Sequence, residues 1–249
     1  MFIPRSIGWY LVVCPAAQGV SVRDQKPEIA LAVLDMAGTT VSDDGLVIRA
    51  FDEAATAVRV PAEGDEREQA RQYVLDTMGQ SKIEVFRALF GSEDRAQQAN
   101  AAFESAYEKH IDDGVKPITG ASEAIAQLRE AGVKVALTTG FSRPTQERLL
   151  AALGWQEIAD LTLAPGEGCR GRPYPDLVLT ALMRAGVDDV AKVAVLGDTA
   201  SDILSGMRAG ASIVAGTLTG AHDEENLLAA GATHVVASVA DFPKHVLSA

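Results

Sequence analysis

Four widely spaced stretches of this chain carry side chains that could act together on a phosphoryl group. They are Asp35-Met36-Ala37-Gly38-Thr39-Thr40, Thr138-Thr139-Gly140, Gly171-Arg172-Pro173-Tyr174-Pro175 and Gly197-Asp198-Thr199-Ala200-Ser201-Asp202. A carboxylate can attack phosphorus and form an aspartyl-phosphate, and Asp35 is the candidate nucleophile. Nucleophile and phosphate are both anionic, so a cation must neutralise them before they can approach. Mg²⁺ suits that task because it prefers carboxylate oxygens and water. Asp198 is the expected second ligand, with Asp202 ligating or orienting from the first turn of the following helix. Thr138 and the backbone amides after Asp35 can donate to phosphate oxygens, and Arg172 supplies fixed positive charge beside them. Each residue alone has a plainer reading, since an Asp at a strand end commonly caps a helix. The ordered set is what carries the chemical signal.

The elements that must position these residues are legible in the hydrophobic pattern. Ile29 to Leu34 is a short all-apolar run ending at Asp35, as expected of a parallel strand buried on both faces. Similar runs recur at Lys134 to Leu137, Lys192 to Leu196, Ser212 to Ala215 and His234 to Val236. Helical patterns lie between them at 120–131, 144–153, 175–185, 201–209 and 223–230, the first two stopped by Gly132 and Gly154. Strand–helix alternation predicts an α/β fold with a parallel sheet covered on both faces. Active groups then fall at the carboxyl ends of the strands, where ligands bind in open sheets. Residues 43–115 break this rhythm, with helical patterns near 46–59, 65–77, 81–90 and 93–112 and no convincing strand. The predicted organisation is a Rossmann-like core of 29–42 plus 116–249, a helical cap of 43–115, and a flexible N-terminal extension of 1–28.

Bulk properties narrow the function. The chain has 249 residues, 47% hydrophobic and 22% charged, which is ordinary globular composition. A formal net charge of −12 disfavours nucleic acid and anionic membranes as partners. Two cysteines, Cys14 and Cys169, are too few for a disulfide framework and have no zinc-ligand spacing, which fits a reducing cytoplasm. Arg5, the apolar run Ile7 to Cys14 and Pro15-Ala16-Ala17 loosely resemble a secretion signal. The run is short, though, and follows a single basic residue. No other stretch is a membrane candidate.

The ordered motifs, with a helical insert after the first, resemble those of the haloacid dehalogenase superfamily over about 30–245. Most phosphatases of that superfamily carry a second Asp two residues after the nucleophile, as general acid on the leaving oxygen. Here that position is Ala37. The string Asp35 to Val41, the arginine of the third motif and the fourth motif are similar to those of the phosphonoacetaldehyde hydrolase family. Met78-Gly79-Gln80-Ser81-Lys82-Ile83 resembles the segment that bears this family's Schiff-base lysine, which falls on Lys82. The resemblance implies Asp35 and Lys82 as catalytic residues, and Ala37, Gly38, Thr39, Met78, Thr138, Thr139 and Arg172 for phosphate or substrate. It implies Asp35, Ala37, Asp198 and Asp202 for Mg²⁺. It also implies a small phosphonate or phosphate as substrate and a homodimer formed through the cap.

The substitutions make chemical sense together. Cleaving a carbon–phosphorus bond expels carbon, so an acid at position 37 has no leaving oxygen to protonate and would tend to pair with Lys82. An iminium on lysine accepts the electrons instead. Ser81 and Glu84 predict a capping box that starts a helix at Lys82, whose positive end disfavours an ammonium there. One departure stands out: the family places a histidine three residues after the lysine, and this chain has Val85. Two other readings compete. One is a phosphomonoesterase of a small organic phosphate, phosphoglycolate phosphatase-like, using the same Asp35. The other is a non-catalytic phosphate-binding protein on the same fold. Since Lys82 belongs to the cap and Asp35 to the core, reaction requires closure about hinges near 41–45 and 113–118.

Overall fold

The computed structural model describes residues 28–42, 45–166 and 168–248. The secretion-signal-like run and most of the N-terminal extension lie outside the described residues, as do positions 43 and 44 of the first expected hinge. The first strand, β1 (Leu31–Asp35), is buried at every position. Its alternate side chains serve different layers, Ala32 and Leu34 joining one apolar cluster and Leu31 and Val33 another. That is the two-residue period of a strand covered on both faces.

After β1 the chain forms the two-residue strand β2 (Val41–Ser42) and then an all-helical insert: α1 (Leu46–Ala57), α2 (Asp65–Asp76), α3 (Lys82–Phe90), α4 (Glu93–Glu108) and the single turn α5 (Ile111–Gly114). It returns through β3 (Lys116–Pro117), which pairs antiparallel with β2, Val41 opposite Pro117 and Ser42 opposite Lys116. The two expected hinge regions therefore meet as one paired ribbon. The helix expected over 93–112 ends at Glu108 and restarts at Ile111 as a separate turn.

The rest of the chain is α6 (Ala121–Glu130), β4 (Lys134–Thr138), α7 (Arg143–Ala152), β5 (Leu161–Leu163), α8 (Asp176–Ala185), β6 (Val193–Gly197), α9 (Ala200–Ala209), β7 (Ile213–Thr217), α10 (Glu224–Ala229), β8 (His234–Val236) and α11 (Phe242–Leu247). Six strands pair in the order β5-β4-β1-β6-β7-β8, all parallel. Strand order reverses at β1, with β4 on one side and β6 on the other, so a ligand crevice is expected outside its carboxyl end. The fold is the expected α/β one, with helical insertion after the first strand. β5 and α11 were not among the elements expected from the sequence pattern. Among the described residues, no helix is long and apolar enough to cross a membrane.

The insert has its own packing and also joins the core. α1 and α3 both pack against α4. Arg67 of α2 is buried and donates to the carbonyls of Pro61 and Asp52, 2.9 Å each, and to Thr56 Oγ1 at 2.8 Å, which ties α2 to α1. Phe51, Phe86 and Phe90 stack in sequence, and Phe86 meets Phe103 edge-on at 6.0 Å. Phe103 and Tyr107 of α4 then pack on Phe141 of the core at 6.1 and 4.6 Å. This aromatic column fastens the insert to the loop after β4. Phe103→Ala empties its centre and should lower unfolding free energy by about 3–5 kcal/mol. The check is a denaturant titration, where a loss below about 1 kcal/mol would mean that the rings do not form one core.

Candidate active site

A cavity of about 50 Å³ lies at the carboxyl edge of the sheet, between core and insert. Among the residues singled out from sequence, Asp35, Ala37, Met78, Lys82, Thr139, Arg172 and Asp198 line it. Gly38, Thr39, Thr138 and Asp202 are not part of the lining, and the last three are buried beside it. Val47, Gly79, Gly140, Phe141, Thr199 and Ala221 also line the cavity and were not singled out. Gly140 and Phe141 directly follow Thr138-Thr139, so the loop after β4 was the signal that could have revealed them. Val47 and Ala221 carry no chemical mark in the sequence.

Asp35 is the last residue of β1, in register with Thr138 on β4. Beyond it the chain turns so tightly that the amides of Thr39, Thr40 and Val41 all donate to the Met36 carbonyl, at 3.2, 2.9 and 2.8 Å. The Gly38 amide donates to the Val41 carbonyl at 2.8 Å. The amides of Gly38 and Thr39, expected as phosphate donors, are thus engaged within the turn. Gly38 sits at φ +85°, and a Cβ there would lie 2.4 Å from Asp198 Oδ2. Only glycine allows that approach. Thr39 contributes its hydroxyl instead, donating to Asp198 Oδ1 at 3.1 Å. The Thr138 hydroxyl faces the Leu34 carbonyl at 3.4 Å.

Asp198 follows β6, and its other oxygen accepts the Ala221 amide at 2.8 Å. Asp202 stands one turn into α9. It closes a capping box with Thr199, accepting that residue's amide at 3.2 Å and its hydroxyl at 2.5 Å. Arg172 reaches in from the loop before α8. One terminal nitrogen donates both to Asp35 Oδ1, at 2.6 Å, and to Asp202 Oδ1. Lys82 is the first residue of α3 with Ser81 at the N-cap, as expected, but the capping box is not made. Ser81 forms no side-chain cap hydrogen bond, and Glu84 pairs with Arg87 at 2.5 Å. The Lys82 amide donates to the Gly140 carbonyl across the seam at 3.2 Å. Arg87 takes the carboxylate that the box needed. Val85 is buried on the same helix.

Three buried carboxylates here face one buried guanidinium. Burial holds Asp35 well above the usual carboxylate range, with Arg172 pulling it down and Asp202 and Asp198 pushing it up. Burial likewise raises Asp198, to about 6, and Asp202 adds to the shift. For Arg172 burial alone favours the neutral form, but Asp202 and Asp35 outweigh it and keep the side chain charged. The centre is therefore short of positive charge. Asp35, Asp198 and Asp202 each offer an oxygen within 4.8 Å of the others. A buried, all-oxygen, anionic donor set fits a hard divalent cation such as Mg²⁺.

A family model for haloacid dehalogenase-like hydrolases matches residues 29–210. Curated relatives include the phosphonoacetaldehyde hydrolases of Pseudomonas aeruginosa strain UCBPP-PA14 and of Bacillus cereus. The first is 30% identical over 219 residues, covering 79% of this chain and 76% of the relative. The second is 29% identical over 206 residues, covering 74% of each. Among solved structures, a hydrolase from Pseudomonas syringae superposes with TM-score 0.76 at 23% identity, covering 87% of this chain and 97% of the other. A phosphonoacetaldehyde hydrolase like protein from Oleispira antarctica gives 0.76 at 22% identity, covering 90% and 93%. At these identities the structural likeness speaks for the fold.

Metal-stripped protein should melt higher when Mg²⁺ is added. At a hundredfold excess over Kd the gain is about 2.7 kcal/mol, or roughly 5–10 °C for a chain of this length. Asp198→Asn should erase most of that shift, and unchanged melting of the native protein would rule the cation out.

Proposed function

The chain belongs to the haloacid dehalogenase-like hydrolases, and on that premise we propose that it cleaves the carbon–phosphorus bond of a small phosphonate bearing a carbonyl. Phosphonoacetaldehyde is the leading specific substrate. The observation that carries this reading is the sharing of one cavity by Asp35, Arg172, Asp198 and Lys82, with Ala37 where an acid would otherwise sit. A nucleophile for phosphorus and an amine for carbonyl carbon need such a common cavity. Relatives named phosphonoacetaldehyde hydrolase, at about 30% identity, add support.

In this reading the neutral amine of Lys82 adds to the substrate carbonyl and expels water, leaving an iminium. Asp35 attacks phosphorus, and the carbon–phosphorus bond breaks. Its electron pair moves into the iminium, giving an enamine on Lys82 and a phosphoryl group on Asp35. The enamine takes a proton at carbon, and hydrolysis of the resulting imine returns the amine and frees the aldehyde. Water then releases phosphate from Asp35. Arg172 holds the charge of the phosphoryl oxygens, and Asp202, pinned by Thr199, holds Arg172. When bound by Asp35, Asp198 and Asp202, with Ala37 as a further contact, Mg²⁺ supplies the charge neutralisation that lets two anions meet. Closure of the insert on the core excludes water while the iminium exists.

Val85 favours a second reading, a phosphomonoesterase using the same Asp35. It is buried and apolar where the resembling family carries a histidine able to move protons. Against it, Ala37 gives an alkoxide leaving group none of the general acid help worth about 10²–10⁴-fold. The test is phosphate release from a panel of phosphonates and phosphate esters. Phosphonoacetaldehyde should be turned over. Asp35→Asn should lose on the order of 10³-fold or more, and Lys82→Ala should lose phosphonate turnover. Borohydride with substrate should leave a reduced adduct on Lys82. Brisk ester turnover untouched by Lys82→Ala, with no adduct, would put the second reading in its place.

A further inference from the structure

The loop after β7 grips the two segments that carry Asp35 and Asp198. The Thr219 hydroxyl donates to the Gly38 carbonyl at 2.7 Å, in the turn that follows Asp35. The Ala221 amide donates to Asp198 Oδ2 at 2.8 Å, and the His222 amide donates to the Asp198 carbonyl at 3.2 Å. Gly220 passes so close that a Cβ there would lie 2.0 Å from Asp198 Oδ2. The half-buried His222 ring completes the grip: its Nδ1 accepts the Ala200 amide at 2.9 Å. Ala200 opens α9, the helix that carries Asp202. The opening amides of a helix have no partner within it. Thr199 caps the Asp202 amide, and His222 supplies the acceptor for Ala200. A nitrogen that accepts carries no proton, so this ring is the neutral tautomer with its hydrogen on Nε2.

We propose that His222 is a positioning residue for the divalent cation, fixing the segment 198–202 and with it the spacing of Asp198 and Asp202. The inference rests on the cation reading of the three carboxylates and is independent of whether the substrate is a phosphonate or an ester. Without a cation those carboxylates repel one another. Two movements would relieve the repulsion: turning the Asp198 peptide away, or fraying the first turn of α9. His222 opposes both, its amide holding Asp198 and its ring holding Ala200. The cation then meets ligands already in place, which is how groups behind the ligands raise affinity for a metal. The amide bond survives any substitution at 222, so the ring's acceptor is the part specific to histidine. A carboxylate could accept the same amide but would add another negative charge beside the existing ones. A neutral imidazole accepts without that cost.

The test compares the metal-stripped full chain with His222→Ala, His222→Phe and His222→Asn. Mg²⁺ affinity is measured by calorimetry and Mn²⁺ affinity by electron paramagnetic resonance, with melting of the metal-free proteins alongside. Phenylalanine keeps a ring but has no acceptor. Asparagine loses the ring, yet its side-chain oxygen stands where Nδ1 does, on the atom after Cβ. His222→Ala and His222→Phe should weaken both ions about tenfold to a hundredfold. His222→Asn should stay close to native, and metal-free melting should not follow that order. Native affinity in the alanine and phenylalanine variants would overturn the inference. So would equal losses in the asparagine and alanine variants, or losses that merely track metal-free melting, since these mark bulk or general stability. A native protein that binds neither ion sinks the cation reading and this inference together, whereas native binding untouched by the variants sinks this inference alone.

Discussion

Three carboxylates buried against one guanidinium set the terms for everything around them. Such a group repels itself, and removing it from water is costly unless each oxygen finds a donor or a cation. The surrounding structure answers oxygen by oxygen. Thr39 and the Ala221 amide hold Asp198, Thr199 holds Asp202, and Arg172 joins Asp202 to Asp35. These donors come from loops after β1, β6 and β7 and from the loop before α8. A parallel sheet with its order reversing at β1 brings those loops to one place. Burial raises Asp35 and Asp198, and a hard cation held by the three carboxylates would offset the repulsion that remains.

The aromatic column plays a different part. It runs from Phe90 through Phe86 and Phe103 to Phe141, from the far side of the insert to the cavity wall. Lys82 therefore does not hang from a loosely attached lid. Its backbone is tied to Gly140 and its ammonium lies over a ring that the insert itself packs against.

Much of this was legible in the sequence because parallel strands and their following loops write strong local patterns. β1, β4, β6 and β7 were expected to within a few residues; Asp35 ends β1 and Asp198 follows β6, while Arg172 enters from the loop before α8. What escaped was decided by contacts distant along the chain. The Ser81/Glu84 pattern predicts a capping box, but Arg87, one turn on, takes up the carboxylate it needed. The amides of Gly38 and Thr39 looked available until the turn closed on Met36 and Val41. Phe141 carries no acid, base or donor in its side chain, so its place beside Lys82 shows only when α4 and the loop after β4 are folded together. β5 also escaped; its three residues are held by parallel pairing with β4.

The paired ribbon of β2 and β3 has a consequence for the ancestry and redesign of such molecules. The chain leaves the core at Ser42 and re-enters at Lys116, and those two residues are hydrogen-bonded neighbours. The host sheet thus experiences the whole intervening stretch as if it were a hairpin loop. Anything whose ends can be brought to one strand spacing, about 4.8 Å, could be spliced there without altering β1, β4 or the carboxylates. A graft there would leave Asp35, Asp198 and Asp202 in place but would carry away Lys82 and the insert rings that pack on Phe141.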